Sequence, residues 1–322
     1  MRAAVCTAHG PPEVVCIEER PAPGLLPGQV RVRVAAAGVN FPDVLLIAGR
    51  YQLPVPPPFV PGSEFAGVIV ETCGDTGGFA VGDPVTGTVL HGAFATEVAV
   101  PAAGLTRVPD GVPLRTAAAF GVAHRTAYHA LRSMARLTAG QELIVLGAGS
   151  GVGLAAVQLG VALGAQVTAV ASTAEKLAVA GAHGAGRRIC HRDTDLRAAL
   201  REVLPGGADA VIDPVGGDLS EPALRSLRRG GRFVTVGYAS GVIPRIPLNL
   251  VLVKGVHILG FQFQDVAPEE FTRNEDELGG FLVSGRARPH IGAVFPLSEA
   301  AAALRHVADG RAVGKVVIDL TD

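Results

Sequence analysis

The stretch ELIVLGAGSGVG, residues 142–153, decides the fold. An apolar strand runs from Glu142 to Leu146 into a turn with glycine at 147, 149, 151 and 153. Side chains in such a turn would hold an approaching pyrophosphate away, whereas glycines admit it and the amides opening the next helix favour an anion. The spacing is not a strict GxGxxG, because the sixth position from Gly147 or Gly149 is Val152 or Leu154. The flanking pattern supplies what the motif lacks. Beyond the turn, VGLAAVQLGVALG, QVTAVAS, AEKLAVAGAHGA, ADAVIDPVGG, SEPALRSLRRGG, RFVTVGYASG and VHILGFQF alternate helix and strand periodicity. Helices between strands in this way predict βαβ units and a doubly wound parallel sheet. In this reading RSLRRGGR (225–232) is one solvated helix end rather than a nucleic-acid surface.

The position of the turn matters as much as its content, because about 110 residues of another style precede it. PGQVRVRVAA (27–36) alternates Val30, Val32 and Val34 with Arg31 and Arg33, a half-buried strand. PEVVCIEE (12–19), FVPGSEFAGVIVE (59–71), VGDPVTGTV (81–89) and FATEVAVP (94–101) read as further strands, with PVPPP (54–58) as a stiff loop. Residues 114–137 carry a helical pattern, and the tail returns to helices at 269–286 and 298–309 and a final strand, KVVIDL (315–320). These changes divide the chain into a β domain, 1–115 with 265–322, and an inserted nucleotide domain, 116–264. Short-chain dehydrogenases, which begin with their glycine loop, are excluded. Their YxxxK pair is also missing, since Arg132, Val55 and Val242 follow Tyr128, Tyr51 and Tyr238 at that spacing.

Composition agrees with a folded enzyme-sized chain. The 322 residues are 48% hydrophobic and 18% charged, which excludes intrinsic disorder. A net charge of −1 gives no electrostatic reason to expect nucleic acid or an anionic membrane as partner. Residues 143–174 hold no charged side chain, yet six glycines and Gln158 and Gln166 interrupt them, so a buried strand–helix–strand explains the run better than a membrane span. Cys6, Cys16, Cys73 and Cys190 form no CxxC pair, which argues against a zinc knuckle or redox dithiol. Scattered thiols, with no apolar signal core in MRAAVCTAHGPP, give the expectation of a cytoplasmic protein.

The end of the second nucleotide-domain strand bears on the cofactor. An NAD site usually places Asp or Glu about 20 residues beyond the glycine turn, on the ribose hydroxyls. Here Ala171, Ser172 and Thr173 stand there, followed by Lys176. Hydroxyls and a cation suit a 2′-phosphate, so NADPH is preferred over NADH. The competing reading is a solvated helix start with a Ser or Thr cap.

The whole chain resembles a zinc-free medium-chain dehydrogenase/reductase of the quinone oxidoreductase, zeta-crystallin-like, family. The matching stretches are AAGVNFPDVLLIAGRY (36–51), VPGSEFAGVI (60–69), RTAYHAL (125–131), the glycine turn, DPVGGD (213–218), GYASG (237–241), PLNLVLVKG (247–255) and GRAVGK (310–315). The resemblance implies an α/β fold with a GroES-like β domain plus a Rossmann doubly wound parallel sheet. Zinc-dependent relatives carry Cys where this chain has Asn40 and His where it has Ser63. Asp43 and Glu64 alone are too few for a tetrahedral site. Without a Lewis acid an alkoxide goes unstabilised, which points to a quinone or activated C=C as hydride acceptor.

The resemblance further implies site residues. Asn40 would lie near the nicotinamide, Thr126 and His129 beside the phosphates, and Gly151 and Val152 on the pyrophosphate. Ser172, Thr173, Lys176, His191 and Arg311 would surround the 2′-phosphate. Gly237, Tyr238, Ala239 and Ser240, with Phe261, Gln262 and Phe263, would line the nicotinamide half. Tyr51, eleven residues after Asn40, matches a proton-donating tyrosine of related enoyl-thioester reductases, or else simply packs against PVPPP. Three roles stay open: NADPH-dependent reduction of a quinone or enone, enoyl-thioester reduction, and a non-catalytic NADPH-binding protein. VHILGFQF is expected at the sheet edge, either paired with its own copy in a homodimer or covered by 265–285.

Overall fold

The computed structural model describes residues 1–260, 262–263 and 266–321. The chain divides into two units, Met1–Val122 with Pro289–Asp322, and Ala123–Arg288. The first begins with strands β1 (Arg2–Cys6) and β2 (Val15–Glu19), an antiparallel pair. β3 (Gln29–Val39) leads into helix α1 (Phe41–Ile47), and β4 (Glu64–Cys73), β5 (Pro84–Thr88), β6 (Glu97–Pro101) and β7 (Leu105–Arg107) follow. The expected strand from Phe59 starts only at Glu64, because Pro61 and Gly62, at φ 100°, hold the preceding chain out of the ladder. Valines 30, 32 and 34 of β3 are buried, as their alternation predicts. The helical pattern of 114–137 is cut into α2 (Leu114–Ala118), α3 (Gly121–His129) and a π-turn, Ala130–Met134.

In the second unit β8 (Glu142–Leu146) feeds α4 (Gly151–Ala162), and β9 (Gln166–Ala171) feeds α5 (Ala174–Ala182). Then come β10 (Arg187–Cys190), α6 (Leu196–Val203), β11 (Ala208–Asp213), α7 (Ser220–Arg225), β12 (Leu227–Thr235), α8 (Asn249–Lys254), β13 (His257–Leu259) and α9 (Pro268–Val283). The sheet is all parallel, in the order β10-β9-β8-β11-β12-β13. The order reverses between β8 and β11, so the carboxyl ends of those strands open the crevice where such sheets bind ligands. Ile144, Leu146, Val170, Val211 and Phe233 fill the core beneath.

Two expectations need correction. RSLRRGGR is not a helix end: α7 stops at Arg225, and Leu227–Thr235 is strand. Gly230, at φ 76°, cannot continue a helix, and the pairing jumps from Ala208–Leu227 to Ala210–Arg232, so Arg228 and Arg229 stand in a bulge. The unit boundary also falls later than position 264, since α9 packs with the parallel-sheet unit. The reason is a row of side-chain ties from α9 to α3: Arg125 to Glu275 at 2.7 Å, Tyr128 to Glu277, and Asn274 to His129 at 3.2 Å.

The chain then returns through β14 (Ile291–Pro296), α10 (Ala300–Ala308) and β15 (Lys315–Asp319). β15 pairs antiparallel with β3 and completes a seven-stranded sheet in the order β14-β15-β3-β4-β5-β7, with β6 also on β3. Among the described residues no helix is long and apolar enough to cross a membrane.

Candidate functional site

Five polar side chains gather where β3, β4 and β15 meet. Asn40 ends β3 and opens α1, its amide N–H donating to Asp43 Oδ2 at 2.7 Å. The Asn40 side-chain Nδ2 donates to Glu64 Oε1 at 2.9 Å and Ser63 Oγ at 3.2 Å. Lys315, the first residue of β15, donates from Nζ to Asn40 Oδ1 and to Glu64 Oε1, both at 2.6 Å. The second carboxylate oxygen, Glu64 Oε2, accepts the Val122 amide at 2.8 Å. Glu64 is 1% exposed and Lys315 3%, so each charge has lost its water and the other replaces it. Gly38 makes room: a Cβ there would fall 2.3 Å from Glu64 Oε1 and 2.7 Å from the Ala118 carbonyl. Burial pushes the Asp43 pKa up to about 7, opposed by the hydrogen bond from Asn40 and the charge of Lys315. Lys315 went unnoticed in the sequence, although a lysine opening an otherwise apolar strand was its signal.

Asn40 therefore spends every polar atom of its amide within this network, which fixes its orientation. Tyr51 is half-buried and packs against the same unit's core. Arg311 is exposed and its Nη2 lies 3.3 Å from Asp309.

The second unit assembles the glycine turn. Gly147 adopts φ 60°, and Ser150 caps α4 by accepting the Gly153 amide at 3.1 Å. A Cβ on Gly153 would lie 2.0 Å from the Gly147 carbonyl oxygen, so only glycine lets the helix start this close to the strand. The helix itself offers no acceptor to the first-turn amides of Gly151 and Val152. Both are half-buried donors at the positive end of the α4 dipole.

The Lys176 side chain lies over this turn: a Cβ on Gly149 would meet its Cβ at 2.5 Å. Thr173 caps α5 by accepting the Lys176 amide at 3.3 Å, and Ser172 precedes it, half-buried. His191 N–H donates to the Ala171 carbonyl, bringing the end of β10 beside the end of β9. Burial lowers the Lys176 pKa, and Arg192 adds to the shift. Burial, then Arg192, likewise lowers that of His191. Lys176, His191 and Arg192 thus share one corner. Arg192 is the member that sequence reasoning missed, an exposed arginine with no motif to mark it.

Opposite the reversal point, Asp213 ends β11 fully buried. Its carboxylate accepts the Val215 and Gly216 amides, each at 2.8 Å, and the Ser220 hydroxyl at 2.6 Å. This folds DPVGG into a platform for GYAS: Ala239 N–H donates to Pro214 O, Ser240 N–H to Val215 O, and Gly216 leaves space for the Tyr238 ring. Gly237 is half-buried, while Tyr238, Ala239 and Ser240 are exposed. Thr126 is half-buried on α3. His129 is not brought to a surface at all. It is 0% exposed, its Nε2 lies 3.3 Å from Glu275, its Nδ1 meets Asn274, and its ring stacks on Phe271. Phe263 meets the same ring edge-on, and Gln262 is exposed. Phe261 lies outside the described residues.

Comparison with known proteins agrees with this architecture. Residues 26–110 match the profile of the alcohol dehydrogenase GroES-like domain, and residues 151–278 that of the zinc-binding dehydrogenase. The chain is 36% identical to quinone oxidoreductase-like protein 2 of Bos taurus, over 99% of this chain and 92% of that one. It belongs to the quinone oxidoreductase-like medium-chain dehydrogenase/reductase family. Among solved structures, Escherichia coli quinone oxidoreductase complexed with NADPH superposes with a TM-score of 0.92 at 26% identity, over 99% of this chain and 100% of that one. A segment of the polyketide synthase GfsB of Streptomyces halstedii is 35% identical over 90% of this chain, which covers 5% of that protein.

One family description speaks of zinc, and the residues of this family member do not fit it. At Asn40, Ser63 and Glu64 the donors are an amide, a hydroxyl and one carboxylate, and the Lys315 ammonium already holds two of them. A divalent cation beside that ammonium would meet like-charge repulsion in a dry site. Among the described residues no group of three or more His, Cys, Asp and Glu side chains is placed to hold a metal.

Proposed function

We propose that the protein is an NADPH-dependent oxidoreductase that reduces a quinone or an α,β-unsaturated carbonyl by direct hydride transfer, without zinc. The observation that carries this reading is the Lys315 ammonium seated on Glu64 and Asn40. With those donors occupied, the acceptor must stabilise its own developing negative charge, as a quinone or enone does. The relative complexed with NADPH, and the family to which the chain belongs, support the cofactor.

NADPH supplies the hydride; the protein binds and orients. In this reading the Gly151 and Val152 amides receive the pyrophosphate, with Thr126 nearby. Ser172, Thr173, Lys176 and His191, joined by Arg192, receive the 2′-phosphate as charge-assisted hydrogen bonds. The GYAS platform, Gln262 and Phe263 border the nicotinamide half. His129, closed within the α3–α9 contact, acts by holding those helices rather than by touching phosphate. Asn40, Tyr51 and Arg311, carried by the other unit, and Phe261 enter through the resemblance alone. Tyr51 would donate its Oη proton as an enolate forms.

The test is NADPH oxidation against a panel of quinones, enones and enoyl thioesters, with metal analysis of the same preparation. Turnover of a quinone or enone without stoichiometric zinc is the expected result. Zinc at one per chain, with activity lost to chelators, would refute it. The second reading, enoyl-thioester reduction, is favoured by the similarity to a polyketide synthase segment, and preferential turnover of the thioesters would select it. NADPH binding without turnover of any acceptor would select a non-catalytic role. The four free cysteines suit a reducing compartment, and the sheet edge at β13 suits a homodimer; both belong to the same proposal.

A further inference from the structure

The RSLRRGGR run and α6 border an open cavity of about 430 Å³. Six cations line it: Arg197 and Arg201 from α6, Arg225 from α7, Arg228 and Arg229 from the β12 bulge, and Lys254 from the last turn of α8. Among the described residues no carboxylate lines it. Its place in the sheet separates it from the glycine turn. Gly207 and Leu227, which contribute to its wall, stand where β11 and β12 begin, whereas the glycine turn follows the carboxyl end of β8. In an all-parallel sheet these are opposite edges, a strand length of about 17 Å apart.

Helix C-termini attract cations, and Arg201, Arg225 and Lys254 each occupy a last turn. Capping accounts for part of the charge, and Lys254 Nζ does donate to the Arg225 carbonyl. It does not account for the whole. Glu221 at 2.6 Å from Arg225, and Asp209 beside Arg228, neutralise two of the six. Three helix ends worth at most about half a charge each leave two to three positive charges without a counter-charge. Burial lowers the pKa of Lys254, and the charges of Arg225 and Arg197 add to it, so the cations feel one another. Arg197, Arg201, Arg228 and Arg229 are exposed and able to reach inward.

We propose that this cavity is a second anion site, taking a compact anion with two or more phosphate groups. The uncompensated charge matches a diphosphate better than a single phosphate, and a volume of about 430 Å³ is that of a small molecule. Planar guanidinium forks from several elements supply the bidentate geometry that phosphate oxygens accept.

Calorimetric titration of the intact protein with pyrophosphate, triphosphate, orthophosphate and a sugar bisphosphate tests this. Saturable binding of the di- and triphosphate, at least about tenfold tighter than orthophosphate, is expected. The sugar bisphosphate arm separates a free inorganic ligand from a phosphorylated metabolite. Arg201→Glu and Arg229→Glu, both at exposed positions, should each weaken binding about tenfold or more, measured with the glycine-turn site already saturated with NADPH. Unaltered thermal midpoints establish that the variants fold, and Arg201→Gln and Arg229→Gln serve if charge reversal disturbs them. Absence of saturation for every phosphate, unaltered binding in both Arg201→Glu and Arg229→Glu, or binding of a DNA duplex alone would each overturn the proposal.

Discussion

Lys315 sets one buried ammonium against the Glu64 carboxylate. Removing it should be costly, because Glu64 would stay buried beside Asn40 with no cation. Lys315→Met is expected to lower unfolding stability by about 3–5 kcal/mol in urea, with Lys315→Arg losing less. A loss under about 1 kcal/mol would mean that water replaces the ammonium. Asp43, in the same network, titrates from the ordinary 3.8 to about 7 on folding. The folded state holds that proton more tightly, so its contribution is complete below about pH 4 and disappears as pH rises through 7. Between pH 5 and pH 8 the native protein should therefore lose stability that Asp43→Asn does not lose, because the amide oxygen still accepts the Asn40 N–H. Parallel slopes for the two proteins would show that Asp43 titrates normally. At the cofactor corner, Lys176→Ala should raise the KM for NADPH about ten- to a hundredfold while leaving that for NADH nearly unchanged, since only NADPH loses a charge-assisted contact. Equal changes would reduce Lys176 to a turn-covering lysine.

The glycine turn and α4 act as one piece. Gly153 places the α4 amides against the strand end, and a methyl group there collides with backbone rather than with a movable side chain. Gly153→Ala should destabilise the protein by about 1–3 kcal/mol, measured by urea unfolding, and weaken NADPH binding in the same variant. Wild-type stability would mean that α4 slides along the sheet without loss. α9 shows a different logic. Its acidic positions 275 and 277 answer Arg125, Tyr128 and Arg132 on the preceding helix and π-turn, pairings about 150 residues apart in the chain. Such long-range pairs decide which unit a helix joins, and nothing in the periodicity of 268–283 reports them.

β13 ends the parallel sheet, bonded only to β12 within the path of six strands. In the stretch that precedes it, Ile243, Leu248 and Leu252 are 69%, 76% and 82% exposed. The side chains of α9 tie it to α3. Pairing of β13 with its own copy about a two-fold axis would satisfy its backbone groups. Sedimentation at micromolar concentration should give twice the chain mass of 32.9 kDa. Leu259→Pro should yield monomer or insoluble protein. An active wild-type monomer would refute the dimer.

Local order was legible in the chain before folding. Strand alternation at Val30–Val34, the glycine run at 147–153 and the βαβ rhythm after it follow from periods of two and 3.6 and from backbone sterics, which neighbouring residues alone impose. Ser172, Thr173 and Lys176 were readable for the same reason, because their place is set by a strand end and a helix start. Lys315, Asp209 and Glu275 were not. Each acquires its role from a partner distant in sequence, and a charge has no directional period that would announce the partner. RSLRRGGR shows the difference most sharply: helix propensity favoured continuation from α7, yet the parallel register with β11 and the positive φ of Gly230 made it a bulged strand. Local propensity is worth tenths of a kcal/mol per residue, and a sheet ladder outweighs it. Only the tertiary structure could decide that those arginines border a cavity lined by cations from α6, α7 and α8.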